Sequence, residues 1–226
     1  MKKKILNGMQ GIIKVILNLF SRKFLIKISL ILKPFFELIF KGDRFVDPIN
    51  NKSYSYFFPY GYNKLRKNAL SPGTLSLERH RLLWIFLEKE TDFFNTENKI
   101  LHIAPEQCFY KSFKKNFGSY TTCDLNSPIA EIKADVCNLP FDENEFDFVL
   151  CNHVLEHVYD DERAMKEIYR VLKHEGKAIL QVPIDNALEK TIDGRDISDQ
   201  NLRNKLFGQY DHLRLYGHDY YDKLIK

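Results

Sequence analysis

Residues 99–124 read KILHIAPEQCFYKSFKKNFGSYTTCD, and residues 134–158 read ADVCNLPFDENEFDFVLCNHVLEHV. Lys99–Ala104 is a short apolar run ended by Pro105, which cannot donate to a strand ladder. Phe109–Phe117 suits a helix, and Ser119–Cys123 is a second strand closed by Asp124. Ala130–Ala134 reads as a short third strand closed by Asp135, and Phe146–Asn152 as a fourth. Asp160 or Asp161 can cap a helix running to Lys173. Ala164, Ile168, Val171 and Leu172 share one face of it, and Gly176 stands at its end. Lys177–Val182, stopped by Pro183, is a fifth strand. Strands alternating with helices predict an α/β fold with a doubly wound, mostly parallel sheet of about five strands.

In such a sheet, ligands bind at the carboxyl ends of the strands, where the strand order reverses. An acid at the end of the second strand is placed to hold ribose hydroxyls, and Asp124 lies twenty residues after Ala104. This much also fits a dinucleotide-dependent oxidoreductase. The next stretch separates the two readings: an Asp after strand 3, an LPF turn, an FD-initiated strand 4 and a trailing HVLEHV.

That pattern resembles the class I S-adenosylmethionine-dependent methyltransferases of the type 11 group, over about residues 99–183. The resemblance implies a Rossmann-like fold, S-adenosylmethionine as cofactor and a methyl-transfer reaction. It implies that Asp135 accepts a hydrogen bond from the adenine amino group beside the Val136 backbone. Asp124 and Leu125 would hold the ribose, while Asn152 and His153 would face the methionine part and the acceptor. The first loop departs from the group's glycine-rich pattern, reading His102-Ile-Ala104-Pro105-Glu106. Glycines let a backbone approach a cofactor closely; Ala104 is small enough, but Pro105 lacks an amide donor. Glu106 has two readings, a ligand for the cofactor's ammonium or a helix-start acid complementing the dipole.

A methyl-transfer enzyme must align a nucleophile with the methyl and, for a hydroxyl, remove its proton. The candidate bases are His153, His157, Asp211 and His212, the last two in the cluster FGQYDH at 207–212. His153 and His157 are four apart, so a helix after strand 4 would put both on one side. The chain stops at Lys226, before the strand pair with which such enzymes usually end; this reads as a C-terminally short domain whose activity is open.

Upstream, two x-Pro-x-x turns at 47–50 and 71–74 are twenty residues apart. This is the frame of a zinc ribbon with its cysteines replaced by Asp47, Asn50, Ser71 and Thr74. Ordinary proline turns share that spacing. The frame resembles an N-terminal ribbon found in a bacterial methyltransferase family that continues into SLERHRLLW, as this chain does at 76–84, and that also carries HIAPE and FGQYDH motifs. No metal is expected here, because zinc prefers thiolate or imidazole. Residues 76–90 predict a helix capped by Ser76, with Leu77, Leu82, Leu83, Trp84, Phe86 and Leu87 as apolar cover. The cluster Glu78-Arg79-His80-Arg81 either reaches a ligand or is a solvated helix start.

The net charge of +4 conceals an asymmetry. Residues 1–41 hold nine Lys or Arg against Glu37, a balance of +8 that leaves −4 for the rest. A mildly acidic catalytic region is a poor nucleic-acid binder. Residues 12–33 predict an amphipathic helix with a Lys-edged apolar face, broken or kinked at Pro34. Its regular basic residues argue against spanning a membrane. They favour a helix lying on an anionic membrane surface, or else packing on protein. The expected organisation is a basic helical segment at 1–41, a degenerate ribbon at 42–75 and a catalytic domain at 76–226. The four cysteines form no C-x-x-C pair and read as free thiols of a cytoplasmic protein, peripheral on the inner membrane face. The expected partner is a small-molecule or glycan acceptor methylated at oxygen, with no nucleic acid. The alternatives are a cofactor-binding but inactive relic and an NAD-dependent oxidoreductase.

Overall fold

A computed structural model describes residues 22–61 and 65–225, which fall into two compact units. The first holds the described residues to Asp92 together with Gln107–Ser112; the second holds Phe93–Glu106 and the residues from Phe113 onward. Part of the expected amphipathic helix, residues 12–21, lies outside the described residues.

In the first unit, helix α1 (Arg22–Ile39) runs on through Pro34, so of the break or kink expected there the helix is not broken. A proline removes one ladder bond, and the last turn of the helix packs on later residues of the same unit. Phe36 and Phe40 meet Phe58 edge-on at 5.3 and 4.9 Å, and Glu37 accepts from Lys52 at 2.6 Å. Two antiparallel hairpins follow, β1 (Lys41–Asp47) with β2 (Lys52–Tyr54), and β3 (Phe58–Tyr60) with β4 (Arg66–Leu70).

The two Pro turns are alike. Asp47 Oδ1 accepts the Ile49 amide, and Ser71 Oγ accepts the amides of Gly73 and Thr74. Each turn runs into a left-handed residue, Asn51 (φ 52°) and Leu75 (φ 59°). Hydrogen bonds join them: the buried Thr74 hydroxyl donates to the buried Asp47 carboxylate at 2.5 Å. Asn50 turns away to donate to the Tyr54 hydroxyl at 2.8 Å.

Helix α2 (Glu78–Lys89) starts without the expected Ser76 cap. Ser76 Oγ instead sits 2.7 Å from Thr74 Oγ1, and the His80 ring accepts the Leu77 amide. The buried stripe is His80, Leu83, Trp84 and Leu87, at helical spacing. Leu82 and Phe86, expected as cover, are exposed because that stripe is narrow. The charged cluster is occupied locally, with Glu78 on Arg66 and Arg81 donating to the Ser76 and Ala69 carbonyls.

From Phe93 onward the chain alternates as β5 (Ile100–Ile103), α3 (Gln107–Asn116, whose residues to Ser112 belong to the first unit), β6 (Tyr120–Asp124), β7 (Ile132–Lys133), β8 (Phe146–Asn152), α4 (Asp161–Val171) and β9 (Leu172–Gln181). The five strands form one parallel sheet in the order β7-β6-β5-β8-β9. This is the Rossmann-like, doubly wound arrangement. The chain leaves β5 for β6 on one side and β8 for β9 on the other, so right-handed crossovers place their helices on opposite faces. Pleating sorts the strands accordingly. Leu101, Ile103, Val149 and Cys151 pack with Ala164, Ile168 and Val171 of α4. On the other face Phe93 meets Phe113, Phe117 and Phe148 at 5.1–5.2 Å.

Gly176, expected at the end of the capped helix, instead lies where β9 bulges. Pairing with β8 lapses between Leu172 and Lys177, and Glu175 takes φ 66°. Asp160 is the N-cap, accepting the Arg163 amide. Beyond the sheet, β10 (Ile192–Asp193) and β11 (Arg214–Leu215) form a separate antiparallel pair around α5 (Gln200–Phe207), and α6 (Tyr220–Leu224) follows.

Candidate active site

The strand order reverses between β5 and β8, and in doubly wound sheets ligands bind beyond the carboxyl ends of the strands at such a point. Ala104, the residue after β5, takes φ 52°, the left-handed region that favours glycine, so the backbone turns sharply without one. The turn places Glu106 beside the end of β8. Asn152 Nδ2 donates to Glu106 Oε1 at 3.1 Å, and the buried His102 donates from Nε2 to Glu106 Oε2 at 2.5 Å. His102 Nδ1 in turn accepts the Tyr120 hydroxyl at 2.8 Å, which fixes the tautomer. Both readings of Glu106 meet here. It occupies the N-cap position of α3, yet its carboxylate leaves the amides alone and goes to His102 and Asn152. Asn152 is buried, and its Oδ1 has no partner. A buried carbonyl oxygen in that state is a place for a ligand's N–H.

Along the same edge, Asp124 ends β6. Its Oδ1 accepts the amides of Asn126 and Ser127, and among the described residues no bond occupies Oδ2. Leu125 beside it is half exposed. Asp135 follows β7 and is exposed; one oxygen accepts the Cys137 amide, while Val136 is buried. Glu106, Asp124 and Asp135 thus stand after three adjacent strands. Ammonium, ribose diol and aromatic amine are hydrogen-bond donors in the same sequence, so these residues fit S-adenosylmethionine. The thiols nearby are not nucleophiles: burial pushes Cys123 up to about 12 and Cys151 well above the ordinary thiol range.

Past β8 the chain forms a single 3-10 turn, Leu155–His157, rather than the α-helix that would have aligned His153 with His157. His153 takes φ 55°, and its Nδ1 lies 3.2 Å from Glu156 Oε1. Tertiary contacts bring in the chain end. His157 and His212 meet edge-on at 4.7 Å, and His157 Nδ1 lies 3.5 Å from an Asp211 carboxylate oxygen. His153, His157, Asp211 and His212 therefore form one connected set through Glu156. Burial, then the neighbouring His157, holds His212 below the usual histidine range.

Two residues assemble this set: Arg214, which sequence reasoning missed, and Glu156, whose sequence reading is a residue packed at a helix start. Arg214 is buried and donates to the carbonyls of Leu155, Val158 and Tyr159 at 2.5–2.9 Å, binding the chain end to the turn after β8. Glu156 is 1% exposed inside an apolar HVLEHV run, and a carboxylate in such a run was the available signal.

A family model described as a methyltransferase domain matches residues 100–180. A 2-phytyl-1,4-naphtoquinone methyltransferase of Nostoc punctiforme is 46% identical over 52 residues, 23% of each chain. An uncharacterized protein of Methanocaldococcus jannaschii is 47% identical over 60 residues, 26% of each chain. The solved YcgJ protein from Bacillus subtilis is similar with a TM-score of 0.49 and 18% identity, covering 65% of this chain and 66% of that one. The matches span about a quarter of the length of these curated relatives. The matched segment from Ile100 to Leu180 contains β5 to β9 almost entire, and with them the ligand-facing edge just described.

Proposed function

We propose that this chain is an S-adenosylmethionine-dependent methyltransferase acting on a small-molecule or glycan acceptor, with oxygen as the methylated atom. The observation that carries the reading is the row of Glu106, Asp124 and Asp135 at the ends of β5, β6 and β7. A dinucleotide would bring its diphosphate to the loop after β5. There it would meet the Glu106 carboxylate, and Pro105 offers it no amide. The methionine end of S-adenosylmethionine brings an ammonium group instead. When bound, this cofactor supplies an electrophilic methyl group. The chain's own residues then have two tasks: Glu106, Asn152 and Asp124 orient the cofactor, and the set around His153 and His157 receives the acceptor's proton. The naphthoquinone named for the Nostoc relative supports adding quinols to the acceptors tested.

The basic residues 1–41 and the exposed Ile31, Phe35 and Leu38 of α1 support an anionic membrane surface as a second partner. No helix among the described residues is long and apolar enough to cross a membrane. Calorimetry with S-adenosylmethionine, its demethylated product and NAD tests the cofactor. Binding of the first two and not of NAD is expected, and tighter binding of NAD would overturn the proposal. An acceptor panel of hydroxylated small molecules, glycans and quinols then separates an active enzyme from a cofactor-binding relic.

A further inference from the structure

Glu156, His157 and His212 each offer one ligand atom, and these atoms all lie within 4.8 Å of one another. The protonation pattern suits ligation. His157 Nδ1 lies 3.2 Å from the Asp211 carbonyl and His212 Nδ1 lies 3.1 Å from the Phe207 carbonyl. A carbonyl only accepts, so each ring donates from Nδ1, and in the neutral imidazole that leaves Nε2 as the ligating atom. A metal-bound imidazole is commonly oriented by this same bond. A second and independent observation is Glu156 itself. The residue is 1% exposed, its Oε1 is matched to His153 Nδ1, and its Oε2 is buried with no partner. A buried, half-matched carboxylate is costly, and a cation removes that cost. The site also has an approach from solvent, since the side chains of His157 and Asp211 are 31% and 43% exposed.

We infer that Glu156, His157 and His212 bind a divalent transition-metal ion. Two imidazoles and one carboxylate match zinc, cobalt, iron or manganese. Magnesium prefers an all-oxygen shell and keeps its waters. Ligands about 2.1 Å from a tetrahedral ion stand roughly 3.4 Å apart, so the three groups draw in by about an ångström on binding. The turn 155–157 and the segment 207–214 supply the ligands, and Arg214 holds the two together independently of the ion. Three protein ligands leave a coordination position open, as in catalytic rather than structural sites. His153 links Glu156 to the end of β8, where Asn152 meets Glu106. On the methyl-transfer reading, on which this last step rests, the open position takes an acceptor oxygen. A hydroxyl bound there is acidified by the ion and gives its proton to His153, the imidazole outside the ligand set; its oxygen then takes the methyl group, and the cofactor's sulfonium leaves as a neutral thioether. The acceptor class is then a phenol, enol or vicinal diol.

The test uses the full chain, stripped with chelator and titrated with cobalt(II) and zinc(II), without cofactor. One ion per chain is expected, with a visible cobalt spectrum of low coordination number that zinc abolishes. Glu156→Gln and His157→Ala should each weaken zinc binding by more than about a hundredfold, exceeding the usual effect of losing an outer-shell partner. His157 is partly exposed, so its variant keeps the metal-free unfolding temperature and serves where the buried Glu156 variant fails to fold. Absence of stoichiometric cobalt or zinc binding by the unaltered chain, or binding that survives His157→Ala, would overturn the inference. Failure of the methyl-transfer reading would show differently, as absent S-adenosylmethionine binding beside an intact metal titration.

Discussion

Asp124 and Ala104 show how single residues shape the carboxyl edge of the sheet. Asp124 uses one oxygen on two amides of its own loop, and on the proposed function the other meets the cofactor's ribose. Asp124→Ala should therefore weaken S-adenosylmethionine binding by about 1.5–3 kcal/mol, the scale for a hydrogen bond to a charged group. Calorimetry on both proteins checks this, and an unchanged affinity would remove Asp124 from the site. Ala104 sits at φ 52°, where an L-residue pays about 1–2 kcal/mol and glycine pays nothing. Part of the relief is offset by the greater chain entropy of glycine. Ala104→Gly should raise stability by about 0.5–1 kcal/mol in denaturant unfolding, without loss of cofactor binding.

Between elements, two arginines do most of the joining. Arg170 of α4 donates to the Leu139 and Phe141 carbonyls, and its neighbour Glu167 accepts the Leu139 amide, so the LPF turn is clamped to the helix. The hydrogen bonds from Arg170 hold the Glu167 carboxyl below its ordinary value. A carboxylate depressed in the folded state binds fewer protons there than in the unfolded chain. Its contribution is fully present above the ordinary carboxylate pKa and is lost as pH falls through the lower folded value. Unfolding of Glu167→Gln should thus differ from that of the unaltered protein at neutral pH, and the two should converge as the pH falls through the lowered folded value. Parallel curves across that window would show that the clamp contributes nothing.

Arg214 is the larger case. Its replacement by Met would leave three carbonyls and Asp161 without their cation. A loss of about 3–5 kcal/mol in denaturant unfolding is expected, as for breaking a buried ion pair. The effect should fall together with metal affinity, since the same residue positions His212.

At the scale of the whole molecule the charge asymmetry matters most. Residues 1–33 carry eight of the nine N-terminal cations, and Ile31, Phe35 and Leu38 expose an apolar face on α1. The end of that helix belongs to its own unit through Phe36, Phe40 and Glu37. A truncation after Lys33 should therefore keep the first unit folded while abolishing sedimentation with anionic vesicles. Each cation near such a surface adds about 1 kcal/mol, screened by salt. Binding by the full chain should fall at high ionic strength without vanishing. A full chain indifferent to anionic vesicles at low salt would identify the face as a protein contact.

The sequence by itself determined the parallel sheet and the acids at its edge. Strand runs such as Phe146–Asn152 are local patterns, and an Asp closing a strand lands at the carboxyl edge wherever that strand goes. It did not determine the element after β8. HVLEHV has helical spacing, yet the chain makes one 3-10 turn, because Arg214 takes the carbonyls that a helix would have used. Nor did it determine which side chains meet. Leu82 and Phe86 looked like core, yet they face out, because the buried stripe of α2 runs through His80 and Leu87. His157 and His212 stand 55 residues apart and touch only because a buried arginine joins their segments. Periodicity and turn chemistry are properties of neighbours along the chain. The pairing of Glu156 with two histidines depends on long-range closure, which only the tertiary structure decides.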